Sequence, residues 1–395
     1  MTIPTQSTHA VADKRFQDQW RRLMDTLQEA GQIVQEDDLA SPSFMQAQSV
    51  RYLLRIFRGM EFTALELDDP YFPRLGRMFD TYLPYPNSNP DCVYMFGRVT
   101  EGETYRITGN AGTARILEVQ IMNGQFPAGP NHKSLGTLTD LKGDADGSIE
   151  IVLSAEPHEG NWLPLKPGAS WFYLRQYYYD WETELPADLI IERDGAQFPP
   201  PIITEDELHA RMERIIGWIP TWYDFLRKRV NTYLDAPVNT CQFSPSPSGM
   251  DDMQYGKGTF SIAPDEAAIV EFDPPQCPYW SFQVMNDFWE TMDFDMRQTS
   301  LNGHQAKLDN DGVFRAVISI EDPGVENWLD PVGNSTGLIC ARVLRPDTQP
   351  QVRMRKVKLS DLRNELPSST KFLTAAQRSD VLRARTRATA RRFRE

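Results

Sequence analysis

Two short segments hold side chains able to do chemistry. The first is Asn87-Ser-Asn89-Pro-Asp91-Cys-Val-Tyr94. The second is Asp293-Phe-Asp295-Met-Arg297-Gln-Thr-Ser300-Leu-Asn302-Gly-His304. The second packs carboxylates, a guanidinium, amides and an imidazole into one stretch, the mixture needed to orient a polar ligand or to move a proton. In the chemical reading, Asp91, Asp295 or His304 transfers protons. Tyr94 donates a hydrogen bond, and Arg297 holds an anionic or carbonyl group. The alternative for each segment is a well-bonded loop with no chemistry.

Other motifs fail on their own geometry. Asp144-x-Asp146-Gly147 and Asp309-x-Asp311-Gly312 resemble part of a calcium loop, but Lys142, Leu153, Lys307 and Ile318 stand where further acids are needed. Asp-Gly between strands is instead the favoured hairpin turn. Gly333-Asn-Ser335-Thr-Gly337 fits the nucleophile-elbow pattern, yet a strand is expected after it and no histidine follows His304. The five histidines, His9, His132, His158, His209 and His304, form no metal-ligand pair, and no phosphate or dinucleotide fingerprint occurs. The reading therefore assigns no metal and no cofactor.

The bulk composition narrows the class. The chain has 395 residues, 40% of them hydrophobic, a pI of about 5.0 and a net charge of −14. A nucleic-acid backbone would be repelled on average. Cys92, Cys241, Cys277 and Cys340 have no CxxC spacing and read as free thiols. No signal peptide and no membrane span is visible, so a cytoplasmic protein is expected.

The elements that must position these segments follow from patterning. Residues 1–14 read as a flexible tail, and 15–84 as a helical N-terminal region with Phe16, Trp20, Leu23 and Leu27, then Phe44, Val50, Leu53, Leu54 and Phe57, at helical spacing. Residues 85–200 and 237–350 are rich in aromatic and β-branched residues and read as two β modules. Between them, 201–236 reads as a connecting helix with a capping box at Thr204-x-x-Glu207 and an apolar face of Leu208, Met212, Ile215, Trp218, Ile219, Trp222, Phe225 and Leu226. Residues 351–395 read as a basic helical tail with Arg378, Arg383, Arg385, Arg387, Arg391, Arg392 and Arg394, suited to docking on an acidic surface, this protein's own included. The strand from Trp171 to Trp181 is aromatic on both faces, one for a core and one for an interface or a pocket wall.

The two β modules are copies. Glu118-Val-Gln-Ile-Met-Asn123 matches Ser281-Phe-Gln-Val-Met-Asn286. Asp146-Gly147 matches Asp311-Gly312, Asn161-Trp162-Leu163 matches Asn327-Trp328-Leu329, and Gly168 and Ser170 match Gly333 and Ser335, in the same order. Features present in both copies are scaffold: Trp162 and Trp328 as core anchors, Asn161 and Asn327 as turn formers. Function belongs where the copies differ or in the cleft between them. The expected fold is α+β, mainly β, with two duplicated antiparallel sandwich or jelly-roll-like modules and helical N-terminal, connecting and C-terminal segments.

Asn89-Pro-Asp91, Tyr105-Arg-Ile-Thr-Gly109, Asn161-Trp-Leu-Pro164 with Arg175-Gln-Tyr177, and Asp322-Pro-Gly-Val-Glu-Asn-Trp-Leu329 together resemble the bacterial "domain of unknown function 1214" family. The likeness covers most of residues 85–345. It implies a β-rich, jelly-roll-like fold and carries no reaction with it. Family members often have Thr at the position of Cys92, which leaves Cys92 as either functional or a small buried residue. Three functions stay open. The first is an enzyme of lyase, isomerase or hydrolase type acting on a small organic metabolite, with Asp91, Tyr94, Asp295, Arg297 and His304 as its site. The second is a non-catalytic binding protein for a glycan or small molecule. The third is an interaction or assembly protein, a homo-oligomer among its forms.

Overall fold

A computed structural model describes residues 14–38, 43–77, 79–83, 86–124, 133–139, 141–245 and 252–393. Residues 1–13 of the expected tail, His132 and Arg394 lie outside the described residues, as does the side chain of Phe44. Two helices open the chain, α1 (Lys14–Glu36) and α2 (Ser43–Glu61), the second running into a π-helical turn at Phe62–Glu66. The first copy holds β1 (Gly76–Arg77), β2 (Cys92–Arg98), β3 (Tyr105–Asn110), β4 (Ile116–Asn123), β5 (Ser134–Leu138), β6 (Ser148–Ser154), β7 (Asn161–Pro164), β8 (Ala169–Tyr177) and β9 (Asp188–Arg193). After α3 (Glu205–Leu234) come β10 (Thr240–Pro245), β11 (Met253–Ser261), β12 (Glu266–Phe272), β13 (Tyr279–Met285), β14 (Ser300–Asn302), β15 (Phe314–Ile318), β16 (Trp328–Leu329), β17 (Thr336–Leu344) and β18 (Val352–Lys358). A single turn, α4 (Leu362–Glu365), and a final helix, α5 (Ala375–Arg392), close the chain.

The duplication extends to strand order. The large sheets run β1-β2-β8-β4-β5 and β10-β11-β17-β13-β14. The small sheets run β7-β6-β3-β9 and β16-β15-β12-β18. Each strand of one copy thus has its counterpart at the same place in the other. Each copy is a sandwich whose large and small sheets bury one apolar core, Ile107, Val119, Ile151, Phe172 and Leu174 in the first and Val270, Phe282, Phe314, Ile339 and Val343 in the second. The pairing is antiparallel except β6 with β7 and β15 with β16, which are parallel. β1 falls inside the region expected to be helical, and β18 opens the segment expected to be a helical tail, as an edge strand of the second small sheet.

Strand alternation decides what the outer face of each large sheet meets. On β8, Phe172 and Leu174 point into the sandwich, while Trp171 and Tyr173 join the helices. On β17, Ile339 and Ala341 point inward, while Leu338 and Cys340 join the same helical cluster. Burying those two outer faces is the work of α1, α2 and α3. The buried stripe of α2 is Met45, Tyr52, Ile56 and Met60, whereas Val50 and Leu54 are exposed, Leu54 at 62%. Trp20 of α1 is 58% exposed as well. Helix α2 is apolar around much of its circumference, so spacing alone does not select its stripe, whereas on α1 the expected Leu23 is buried and Leu27 packs against the same core. On α3 the expected Ile215, Trp218, Ile219, Trp222 and Leu226 are buried and are joined by Arg211, Ile216, Val230 and Tyr233, while the expected Leu208 is exposed. Its expected capping box is half made: Thr204 accepts from the Glu207 N–H, but the Glu207 carboxylate accepts from Arg211 instead.

The residues shared by the two copies are scaffold in detail. Asn161 donates Nδ2 to the carbonyls of Lys142 and Glu150 and accepts from the Lys142 N–H. Asn327 does the same with Lys307 and Arg315. Trp162 Nε1 donates to the Ser154 carbonyl at 3.2 Å, and Trp328 Nε1 to that of Ser319 at 3.0 Å. Gly147 and Gly312 hold φ of 86° and 82°, the positive values a turn glycine supplies. The carboxylates of Asp309 and Asp311 are taken by Arg315. Replacing Asn161 or Asn327 by Ala strands the same carbonyls and the same N–H in each copy. Urea denaturation of Asn161→Ala and Asn327→Ala is expected to show losses of similar size, about 1–3 kcal/mol for each buried group left unpaired.

Candidate functional site

The two polar segments singled out in the sequence meet between the copies. Asp91 begins the approach to β2 and is 1% exposed. Its Oδ1 accepts from Trp181 Nε1 at 2.8 Å and from Asn302 Nδ2 at 2.7 Å, and its Oδ2 accepts from the Tyr279 hydroxyl at 2.6 Å. Trp181 belongs to the first copy, while Tyr279 and Asn302 belong to the second. Asn302 also donates to the Tyr179 carbonyl and accepts from the backbone N–H of His304. Gly303 between them packs on the Tyr179 hydroxyl and the Trp280 indole, with no room for a Cβ. Burial pushes the Asp91 carboxyl above its ordinary value, while the bonds from Tyr279, Asn302 and Trp181 and the charge of Arg392 oppose the rise.

The last helix closes this region with arginines. Arg378, Arg385 and Arg392 are spaced by two helical turns, lie on one face of α5, and are all buried. Arg385 and Arg392 stack on Trp181, with guanidinium-to-centroid distances of 4.3 and 3.9 Å. Arg378 lies over Trp328, pairs with Asp322 at 2.9 Å, and donates to the carbonyls of Val325 and Glu326. The expected docking of the basic tail on the protein itself is thus what α5 does. Arg385 also donates to the Phe294 carbonyl and to Ser300 Oγ, and Arg392 to the Pro90 carbonyl. Burial lowers the pKa of Arg385 and of Arg392, and Asp91 draws both back up.

Beside this buried cluster opens a cleft of about 270 Å³. Asp180 and Trp181 of the first copy, Gln298, His304 and Glu326 of the second, and Arg385 of α5 are among its walls. His304 Nε2 stands 3.7 Å from Asp180 Oδ1, with 52% of the imidazole exposed. Burial raises the Asp180 carboxyl, but the Thr183 hydroxyl, the Glu182 and Thr183 N–H groups and His304 outweigh it and hold it below its ordinary value.

The five residues singled out in the sequence divide accordingly. His304 lines the cleft. Asp91 is sealed behind Trp181 and Asn302. Asp295 is half-buried, its carbonyl accepts from the Thr386 hydroxyl of α5, and its carboxyl is raised by burial first and then by Asp293. Arg297 is half-exposed and pairs with Asp330 at 2.7 Å. Tyr94 lies deeper, on β2, where its hydroxyl accepts from the Asn89 N–H, and its pKa is raised by burial. Cys92 is buried and its thiol is pushed up by burial, the state of an inert packing cysteine. Asp180, Tyr279, Arg385 and Arg392 enter only with the structure. The seven-residue spacing of buried arginines on α5 is the signal that points to two of them.

Two experiments test this arrangement. Trp181→Ala removes the ring between two guanidiniums and one donor to Asp91, and a loss of about 3–5 kcal/mol in urea denaturation is expected. For Asp91 the raised folded pKa sets a sign. Its contribution is fully present below the ordinary carboxyl value of 3.8 and falls as pH rises through the raised folded value. Asp91→Asn keeps Oδ1 for Trp181 and Asn302 and places an amide where the Tyr279 hydroxyl can turn to accept. The stability of wild type relative to Asp91→Asn should therefore fall as the pH of the urea titration is raised.

Comparison with known proteins follows the same duplication. The family model described as "Protein of unknown function (DUF1214)" matches twice, over residues 97–180 and 267–348. A crystal structure of an uncharacterized protein from Burkholderia cenocepacia is similar, with 29% identity and a TM-score of 0.82, over 87% of this chain and 97% of that one. A protein from Vibrio parahaemolyticus matches at 11% identity and a TM-score of 0.46, over 84% of this chain and 100% of that one. No curated protein matches the chain. Among the described residues, no helix is long and apolar enough to cross a membrane.

Proposed function

This chain belongs to the DUF1214 family and carries its domain twice, and from the site we propose that it is an enzyme acting on a small polar organic molecule held between the two copies and α5. The chemistry is acid–base transfer by the protein's own side chains, of the lyase, isomerase or hydrolase kind. One observation carries the reading: His304 of the second copy faces Asp180 of the first across the cleft wall, 3.7 Å apart. A carboxylate held ionised beside an imidazole is a pairing suited to a general acid or base. Arg385 supplies a fixed cation in the same wall, suited to a ligand oxygen on which charge develops. Asp91 acts indirectly, by fixing Trp181 and Asn302 on either side of that wall. The unpaired cysteines, three of them buried, fit a reducing compartment such as the cytoplasm.

The test is a thermal-shift screen of the full chain against small hydroxy acids, amides and sugars, repeated on His304→Gln and Asp180→Asn. A ligand of the cleft raises the melting temperature of wild type by mass action and does so less in both variants. Chromatography of each hit after incubation should show its conversion by wild type and a fall of about 10²-fold or more with His304→Gln. Hits that bind but are never converted would replace the enzyme with a binding protein. Hits indifferent to both variants, or none at all, would overturn the cleft as the site.

A further inference from the structure

A second feature lies where the copies differ. Across the large sheet of the first copy, Tyr94, Arg175 and Glu118 stand in one row on β2, β8 and β4. The counterpart row is Tyr255, Arg342 and Ser281 on β11, β17 and β13. The two rows face each other between the sheets. Arg175 lies within electrostatic reach of Tyr255, and Arg342 within reach of Tyr94. Around them, Tyr177 and Tyr279 meet with ring centroids 5.5 Å apart.

The charges of the two rows do not match. Arg175 pairs with Glu118, both buried. Ser281 replaces that glutamate beside Arg342, which is 4% exposed. Arg342 donates only to neutral acceptors among the described residues: Gln283 Oε1 at 2.8 Å, the Asn87 carbonyl at 2.7 Å and Asn87 Oδ1 at 2.9 Å. Lys257 is on the same face one row along β11, opposite Cys340, and burial followed by Arg229 lowers its pKa. A guanidinium taken out of water with no counter-charge is costly. An anion in this place would remove that cost. Beside it Tyr94, Tyr255 and Lys257 are only half-buried, and the Tyr255 hydroxyl has no hydrogen-bond partner among the described residues.

We propose that the space between the two large sheets binds a small organic carboxylate, which takes at Arg342 the place that Glu118 takes at Arg175, with the Tyr255 hydroxyl as a further donor. The planar fork of a guanidinium suits a carboxylate, and the surrounding tyrosine rings suit the organic part of such a molecule. This site is separate from the cleft at His304 and stands without it.

The test uses the full chain, with acetate, succinate and benzoate as probes, inorganic phosphate for comparison, and chloride to hold the ionic strength. At least one carboxylate should raise the melting temperature by about 2 °C or more. Ser281→Glu builds the missing carboxylate into the protein. It should raise the melting temperature without ligand and abolish the response to the carboxylate. Arg342→Gln should lose the response, while Arg353→Gln on the surface and His304→Gln in the cleft should keep it. If Arg342→Gln does not fold, Ser281→Glu alone decides. A response that survives Ser281→Glu, one that falls with His304→Gln, one to phosphate alone, or none to any probe would each overturn the proposal.

Discussion

A carboxylate sealed from water must be met by donors, and in this protein those donors come from everywhere in the chain. Asp91 receives one hydrogen bond from the first copy and two from the second, and feels the charge of a guanidinium from the last helix. A buried acid that lost any one of these partners would be left with an unmet lone pair, at a cost of one to several kcal/mol. The relative placement of the two sandwiches and of α5 is thereby tied to one side chain. Hydrophobic burial holds the copies together, since the three long helices cover both large sheets in one apolar cluster. Such burial is nearly indifferent to small rotations, whereas the hydrogen bonds on Asp91 are not.

Two identical sandwiches would have made a symmetric object with a symmetric seam. The topology is indeed the same strand by strand, and the Asn161 and Asn327 clamps repeat bond for bond. The departures sit on the seam and at its ends. Trp328 is covered by Arg378 of α5, whereas its counterpart Trp162 stays half-buried. Ile116 occupies the place of Tyr279 in the register, and Glu118 that of Ser281. Duplication supplies the frame, and the substitutions along its seam change which polar groups are buried there.

What can be read from the chain follows the range of the interactions. The Asp-Gly turns, the Asn clamps and the Trp anchors act within their own module, so the repeat of their spacing reveals them. The equivalence of Tyr94 and Tyr255 is set by pairing register, and their sequence neighbours differ too much to show it. The stripe on α2 is hidden because leucine, valine and methionine occur on nearly all sides of that helix, and only the sheets beneath choose among them. Arginines on α5 look like a solvated surface by composition. Their burial depends on indole rings far away in sequence, over which a guanidinium can lie without leaving a polar environment. Asp91 is conspicuous as a residue type, but its role as a fixed acceptor depends on three donors from three distant segments.

The arrangement of α5 has a bearing on how the molecule is made. Each sandwich encloses its own core and can gather as its strands leave the ribosome, first copy before second. Arg385 and Arg392, which flank Trp181, follow both sandwiches in the chain. Until they arrive, the indole between the copies has no cover and the charge of Asp91 has no guanidinium near it. The seam between the copies is therefore finished only after both sandwiches have been made. A chain cut short by a few tens of residues could hold two folded halves and still lack the wall that α5 contributes to the cleft.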